Sequence, residues 1–304
     1  MISLPMSRFF VAPFAVAVVV ACVSPPPATV SSAPAVSTAA VSPSVTLAAA
    51  PDKYFTSADA RIRFRDIGQG SPVVLIHGLS RSLDDWFGVG DSLARDHRVV
   101  ALDVRGFGRS TRIKDQSRLG IEMAEDVIRL LDHLGISRAH LVGHSMGASM
   151  AAKIAARHPD RVLSVSLVAG PFFGDSTAFA RDEGGFAAEV ERTGSMTTLI
   201  KWLFPAFTDS AVAELNAQTM STNDPATVAA AMRSMDALVV TPNVGSVVRA
   251  PAVVAVGGGD PLAPQSRWLA SWWPNSRLVE IAEADHFTII LRPETLAAMR
   301  AVMR

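Results

Sequence analysis

The pentapeptide Gly143-His144-Ser145-Met146-Gly147 carries the strongest chemical signal in this sequence of 304 residues. The apolar run 139–142 before it predicts a β-strand, and the alanine-rich run 148–158 after it predicts a packed helix. Strand, G-x-S-x-G and helix in that order are typical of a nucleophile elbow, whose sharp turn holds the serine hydroxyl out at the end of the strand. Large side chains two residues before and after the serine would collide, which explains the two glycines. We therefore predict that Ser145 is a nucleophile.

Short apolar runs alternate with helical segments on both sides of this elbow. Strands are predicted over 72–76, 98–103, 139–142, 162–168, 253–256 and 278–281, after a leading hairpin built from 54–55 and 61–65. Helices are predicted over 84–94, 122–134 and 148–158. Strands that alternate with helices predict an α/β protein with a mostly parallel sheet, in which the helices form the crossovers.

The segment 171–250 interrupts this alternation. Its residues have helical spacing and no convincing strand. An insertion of that size after a sheet strand is usually functional, so the sequence predicts a helical lid between two late strands. The segment is rich in aromatic side chains, which imply an apolar roof over a cleft. These residues are Phe172, Phe173, Phe179, Phe186, Trp202, Phe204 and Phe207.

Five motifs together resemble one protein family. They are His77-Gly78, the run 103–110, the elbow, Gly259-Asp260 and Asp285-His286-Phe287. With them the chain resembles the α/β-hydrolase superfamily over 52–304, and within it the lid-bearing branch of serine esterases, lactonases, carbon–carbon bond hydrolases and cofactor-free perhydrolases. The resemblance implies the α/β-hydrolase fold, with the core at 52–170 and 251–304 and the lid at 171–250. A serine at 145 distinguishes the chain from the epoxide hydrolases and haloalkane dehalogenases, which carry aspartate there.

A serine hydroxyl needs a base to become a good nucleophile, and in this fold the catalytic residues follow the order serine, acid, histidine. Among seven histidines, His286 alone follows the last predicted strand in a loop, so we predict that it is the base. Asp260 follows the strand 253–256 and is the predicted acid, which fixes the imidazole tautomer and stabilises the imidazolium. Asp285 should point away from its neighbour His286, and Asp175 at the start of the lid remains an alternative acid.

Two backbone N–H groups are the expected donors to the oxyanion of a tetrahedral intermediate. One belongs to Met146, directly after the nucleophile, and the other to Leu79, after His77-Gly78. The sequence contains no Cys/His spacing that suggests a metal site, and we predict neither a metal nor a cofactor.

The predicted activity is hydrolysis of a carboxylic ester or lactone with a small to medium apolar acyl group, through an acyl-enzyme on Ser145. An alternative keeps the same three residues for carbon–carbon bond hydrolysis, peptide hydrolysis or cofactor-free perhydrolysis. An alternative of another class is a non-catalytic ligand-binding or sensor protein with the hydrolase fold.

The first 51 residues have the composition of an export signal and a tether. Arg8 precedes an apolar run of about 15 residues, which is shorter than the roughly 20 of a membrane span and suits a signal-peptide core. The tetrapeptide Val19-Val20-Ala21-Cys22 resembles the bacterial lipobox, so we predict a signal peptide over 1–21 and lipidation of Cys22. An ordinary secretory signal with an incidental cysteine is the alternative. The Ala/Pro/Ser-rich stretch 22–51 is predicted to be a lipid-anchored tether.

Localisation and partners follow from these features. We predict a protein of the bacterial cell envelope, anchored by lipid, with the outer membrane favoured because Val23 stands where a retention signal would have aspartate. The chain has 28 basic and 28 acidic side chains. Zero formal charge gives no reason to expect a nucleic acid partner. The expected partners are a membrane and a small ester or lactone.

Overall fold

Eight strands form one twisted sheet in the part of the chain that the structure describes. This computed structural model describes residues 45–172, 176–244 and 247–304. The strands are β1 (Lys53–Ser57), β2 (Ala60–Gly68), β3 (Ser71–Ile76), β4 (His97–Leu102), β5 (Ala139–His144), β6 (Val162–Val168), β7 (Ala252–Gly257) and β8 (Ser276–Ile281). Their order across the sheet is β1-β2-β4-β3-β5-β6-β7-β8. The first two pairs are antiparallel and the other five are parallel, which confirms the predicted α/β-hydrolase fold.

Helices cover both faces of this sheet. They are α1 (Val89–Leu93), α2 (Ile121–His133), α3 (Met146–Arg157), α4 (Ser176–Thr193), α5 (Thr197–Leu203), α6 (Asp209–Ser221), α7 (Pro225–Ser234), α8 (Ala263–Trp272), α9 (Thr288–Leu291) and α10 (Pro293–Val302). Successive strand residues point to opposite faces, so Val74 packs in the cluster of α2 and α3, whereas Leu75 packs with Leu93 and Met299 on the other face. Burial on both faces explains why the central strands are continuous apolar runs.

The prediction of one continuous helix over 84–94 is wrong. The structure has a short 3-10 helix, Leu83–Trp86, followed by α1. Gly88 lies between them with φ of +82°, in the left-handed region that a helix cannot include. The chain therefore turns at Gly88 instead of continuing one helix.

The insertion between β6 and β7 contains the four helices α4 to α7, and its described residues include no strand. Phe172 and Phe204 are buried in the large hydrophobic cluster, whereas Trp202 and Phe207 are partly exposed. Phe173 and the side chain of Phe179 lie outside the described residues. That the insertion acts as a lid stays a prediction. Among the described residues, no helix has both the length and the apolar composition that crossing a bilayer requires.

The folded domain begins earlier than residue 52, so the predicted tether is too long at its C-terminal end. Leu47 is fully buried and packs against Gly90, where a Cβ would lie only 2.7 Å from the Leu47 Cδ2. The Leu47 N–H donates a hydrogen bond to Asp91, and Arg65 Nη1 donates to the Leu47 carbonyl at 2.8 Å. Composition missed this contact because one leucine in a polar and alanine-rich stretch has no periodic signal. The predicted signal peptide, Cys22 and the tether up to residue 44 lie outside the described residues.

We expect Leu47→Ala to lower the free energy of unfolding by about 2–5 kcal/mol, because it leaves a cavity beside Gly90. Urea unfolding followed by tryptophan fluorescence measures this change. Val45→Ala is the matched control, since Val45 is 57% exposed, and it should change stability by less than about 0.5 kcal/mol. Equal stabilities of the two variants would show that Leu47 belongs to the tether after all.

Candidate active site

The nucleophile elbow has the strained geometry that the sequence predicts. Ser145 lies between β5 and α3 with φ of +53° and ψ of −122°, a conformation that is costly for a residue with a side chain. A Cβ on Gly143 would lie 2.1 Å from the Gly147 carbonyl oxygen, and a Cβ on Gly147 would lie 2.2 Å from the Ile76 carbonyl oxygen. Both distances are impossible for real atoms, so the turn requires glycine at both positions and projects the serine from the end of the strand.

His286 and Asp260 form a buried pair at the same edge of the sheet. His286 follows β8 and Asp260 follows β7, and the histidine Nδ1–H donates to the Asp260 Oδ2 at 2.8 Å. The two residues are only 2% and 3% exposed. The other oxygen of Asp260 accepts the Leu262 N–H at 2.9 Å. With its proton on Nδ1, the imidazole keeps a lone pair on Nε2, as a general base requires.

Ser145 and His286 line one cavity. Among the hydrogen bonds of the described residues, none joins the Ser145 hydroxyl to the imidazole. The structure therefore brings all three predicted catalytic residues to one place and connects the histidine to the acid, but not to the serine. Such contacts are often long before substrate is bound.

The two backbone groups predicted for the oxyanion hole lie beside the elbow. Neither the Leu79 N–H nor the Met146 N–H makes a hydrogen bond to a described residue. Met146 begins α3, so its N–H belongs to the unpaired first turn of a helix, which attracts negative charge. A Cβ on Gly78 would lie 3.1 Å from the Ser145 Cβ, so glycine there lets the two segments approach each other. This arrangement can accept a developing oxyanion.

His77 fixes the loop that carries Leu79. Its Nε2 accepts the Val104 N–H at 2.9 Å, and its Nδ1–H donates to the Gly78 carbonyl at 2.7 Å. Complete burial lowers the pKa of His77, which keeps the ring neutral and preserves the acceptor. The histidine of the His77-Gly78 motif is thus a structural tie between the ends of β3 and β4.

Asp103 explains why the run 103–110 accompanies the site. Its carboxylate accepts the backbone N–H groups of Leu83 and Arg109 and forms a buried ion pair with Arg63 at 3.0 Å. Gly108 has φ of +54°, and a Cβ there would collide with the Asp103 carboxylate. The run therefore holds the loops at this end of the sheet in place.

His144 has a role that sequence reasoning missed. Its Nε2–H donates to the main-chain carbonyl of His286 at 2.8 Å, and the two rings are 4.9 Å apart. Complete burial, and then the nearby His286, keep the pKa of His144 well below its usual value. Its Nδ1 has no partner among the described residues. No local pattern predicts this bond, because the two histidines are 142 residues apart.

Asp285, a rival for the acid, makes its hydrogen bonds within its own turn and none to the His286 ring among the described residues. Its Oδ1 accepts the backbone N–H groups of Phe287 and Thr288 at 2.9 and 2.8 Å, and this side chain stabilises the turn into α9. The other rival, Asp175, lies outside the described residues. Cys22, the predicted lipidation site, does so too.

The cavity above Ser145 is narrow and mainly apolar, with a volume of about 80 Å³. The inserted helices α5 and α6 and the residues that flank α5 contribute much of its wall, including Met196, Leu199, Ile200, Leu203, Phe204 and Leu215. Arg81 is the one Asp, Glu, Lys or Arg side chain among the described lining residues. Across the described part of the chain, no group of three or more His, Cys, Asp or Glu residues is arranged to hold a metal ion.

Comparison with known proteins gives the same fold. Residues 71–196 match the family model described as the alpha/beta hydrolase fold. The enol-lactonase from Burkholderia xenovorans LB400 superposes with a TM-score of 0.68 at 25% identity, over 82% of this chain and 98% of that one. A thermophilic esterase from Thermogutta terrifontis superposes with a TM-score of 0.68 at 26% identity, over 84% of this chain and 100% of that one.

A curated relative is similar over most of the folded domain. The chain is 33% identical over 222 residues to the dihydrolipoyllysine-residue acetyltransferase component of the acetoin cleaving system of Pseudomonas putida, covering 71% of this chain and 59% of that protein. The family model, the sheet and the structural neighbours show that this chain has the α/β-hydrolase fold. The chain spans between 30% and 59% of the length of the curated relatives it matches.

Proposed function

We propose that this protein is a serine hydrolase that cleaves a carboxylic ester or lactone with a small to medium apolar acyl group. The observation that carries the proposal is the buried hydrogen bond of 2.8 Å from His286 to Asp260, because His286 lines the same cavity as Ser145. This combination has the parts of an acyl-transfer site, namely a nucleophile, an oriented base and unpaired backbone N–H groups.

The proposed reaction has two halves. The Ser145 oxygen attacks the acyl carbon while the Nε2 of His286 takes the hydroxyl proton, and the N–H groups of Leu79 and Met146 stabilise the oxyanion. The C–O bond to the alcohol breaks, and the imidazolium gives its proton to the leaving oxygen. Water then attacks the acyl-enzyme, His286 takes its proton and returns it to Ser145, and the carboxylic acid leaves.

The cavity and the neighbours support this substrate class. The apolar wall suits an acyl chain, and a volume of about 80 Å³ has room for a short one. Two structural neighbours with at least 25% identity are an enol-lactonase and an esterase.

The test is turnover of p-nitrophenyl acetate and butyrate, together with covalent labelling by a fluorophosphonate. We expect hydrolysis of at least one ester and a label on Ser145. A protein that binds an ester analogue but neither turns over esters nor takes the label would be a ligand-binding protein, and the proposal would then be wrong.

His144→Leu is expected to lower kcat roughly 10- to 100-fold with a smaller change in KM, because it releases the main chain of His286 and lets the base move. His144→Gln keeps an N–H donor and should recover most of that loss. Steady-state kinetics on both variants, with thermal melting to compare their folding, measure this. Equal kcat in the two variants would mean that the hydrogen bond to the His286 carbonyl does not position the base.

We also propose that the protein is exported and anchored to the cell envelope by lipid on Cys22. The support is the lipobox-like tetrapeptide that ends at Cys22 and the uncharged stretch after it. Expression in a bacterium with a radioactive fatty acid should label the wild type, and Cys22→Ser should lose both the label and membrane association. Retention of the label by Cys22→Ser would exclude this cysteine as the anchor.

A further inference from the structure

We propose that Arg81 forms a subsite for a carboxylate that the substrate carries in addition to its ester bond. The inference rests on the proposed function and adds one feature to its substrate, a carboxylate group beside the ester bond that is cleaved. Arg81 is two residues beyond Leu79, so the subsite adjoins the predicted oxyanion hole.

The cavity wall makes this arginine unusual. The other described lining residues are apolar or glycine, apart from Ser145, Thr219 and two imidazoles. A permanent charge in an apolar wall loses hydration, and that loss must be offset by a partner. Arg81 is only partly exposed, since 30% of its side chain meets solvent.

The guanidinium is held in one orientation. Its Nε donates to Asp85 at 2.8 Å and its Nη2 donates to the same carboxylate at 2.5 Å. On another side, the Arg81 Cζ lies 4.7 Å from the centroid of the Phe287 ring, a cation–π contact with the residue after His286. Asp85 offsets part of the cost of burying the charge, and Phe287 restricts the plane of the group.

This arrangement leaves one edge of the guanidinium unused. Arginine has five N–H donors, and the contacts with Asp85 occupy the edge made by Nε and one side of Nη2. Nη1 makes no hydrogen bond to any described residue. The remaining Nη1/Nη2 edge has the spacing that binds a carboxylate through two parallel hydrogen bonds. In an apolar cavity such charge-assisted bonds are stronger than at an exposed surface.

A purely structural role for the Arg81–Asp85 ion pair does not explain why Arg81 lines the cavity. An ion pair between residues four apart stabilises a protein only slightly, and it forms equally well on an outer surface. Arg81, unlike Asp85, lines the cavity that holds the nucleophile, so a molecule bound there would be within its reach. The geometry therefore favours recognition of a substrate over a tie between Arg81 and Asp85 alone.

Two pairs of shape-matched esters test the inference. One pair places the carboxylate on the acid part, as monoethyl succinate against ethyl 4-methylpentanoate. The other places it on the alcohol part, as acetoxyacetate against isobutyl acetate. Titration of the released acid at pH 7.5 gives the rate of hydrolysis. The measured quantity is the ratio of kcat/KM for the two members of each pair. Because each ratio is internal to one variant, it does not depend on the fraction of folded enzyme.

We expect the wild type to prefer the carboxylate member of at least one pair by about tenfold or more, which corresponds to one pair of charge-assisted hydrogen bonds. Arg81→Met should abolish that preference and Arg81→Lys should keep part of it. Arg277→Met is the matched control, because Arg277 is exposed on β8 outside the cavity, and its ratio should equal that of the wild type.

The experiment distinguishes a failure of this inference from a failure of the proposed function. If the wild type hydrolyses the apolar esters and neither pair shows a preference that depends on Arg81, this inference is wrong and the proposed function stands. The methyl ester of monoethyl succinate adds a further check, because it has an uncharged group in place of the carboxylate. If the wild type prefers this neutral diester over ethyl 4-methylpentanoate as strongly as it prefers monoethyl succinate, Arg81 does not recognise a carboxylate and the assignment is wrong. If the wild type hydrolyses no ester and takes no fluorophosphonate label, the proposed function itself fails.

Discussion

Replacing Ser145 with alanine is expected to lower kcat for ester hydrolysis by about 10³- to 10⁶-fold. The substitution removes the oxygen that attacks the acyl carbon, and no described lining residue offers another hydroxyl except Thr219. Residual turnover above the uncatalysed rate would come from the oxyanion hole acting on bound water. Steady-state kinetics with p-nitrophenyl butyrate measure the loss, and mass spectrometry should find no fluorophosphonate adduct on the variant.

Two further variants make this result specific. Ser271→Ala changes an exposed serine whose hydroxyl only donates to the Trp268 carbonyl, and it should keep kcat within about twofold. The double variant Ser145→Ala/His286→Ala should lose little more than either single one, because the serine and its base act as a unit. Additive losses in the double variant, or full activity of Ser145→Ala, would contradict the proposed mechanism.

Replacing Asp260 with asparagine is expected to lower kcat by about 10⁴-fold while the protein stays folded. The Asp260 Oδ1 accepts the Leu262 N–H at 2.9 Å, so the oxygen of an asparagine would keep that position. Its NH₂ group would then face the Nδ1 of His286, which could no longer carry a proton. The proton would move to Nε2, and the imidazole could not accept the serine proton.

The neighbouring carboxylate provides the control for this variant. Asp285→Asn changes a side chain that accepts backbone N–H groups of Phe287 and Thr288, and kcat should fall by less than about tenfold. Kinetics and thermal melting of both variants from pH 6 to 9 test the assignment. A large loss of kcat in Asp285→Asn together with a small loss of kcat in Asp260→Asn would show that Asp285, and not Asp260, is the acid that orients His286.

Much of the sheet could be predicted because strands that are buried on both faces are continuous apolar runs in the sequence. The predicted strand 162–168 matches β6 in both bounds, and β3, β4 and β7 differ from prediction by only one residue at any end. The elbow was equally accessible, since the two glycines are required by contacts within one short turn. The errors have local causes too, because Gly88 interrupts a helical pattern and Leu47 is a single apolar residue in a weakly patterned stretch.

The sequence by itself determined the residue types and their order, with a serine in an elbow, an aspartate after one strand and a histidine after the next. Local spacing is enough for this, because a turn, a strand end and a buried run each depend on near neighbours along the chain. Only the tertiary structure decided that His144 binds the carbonyl of His286, that Arg81 lines the cavity and that α5 and α6 contribute to its wall. Those contacts join residues that are distant in the chain, and they depend on how the helices pack on the sheet.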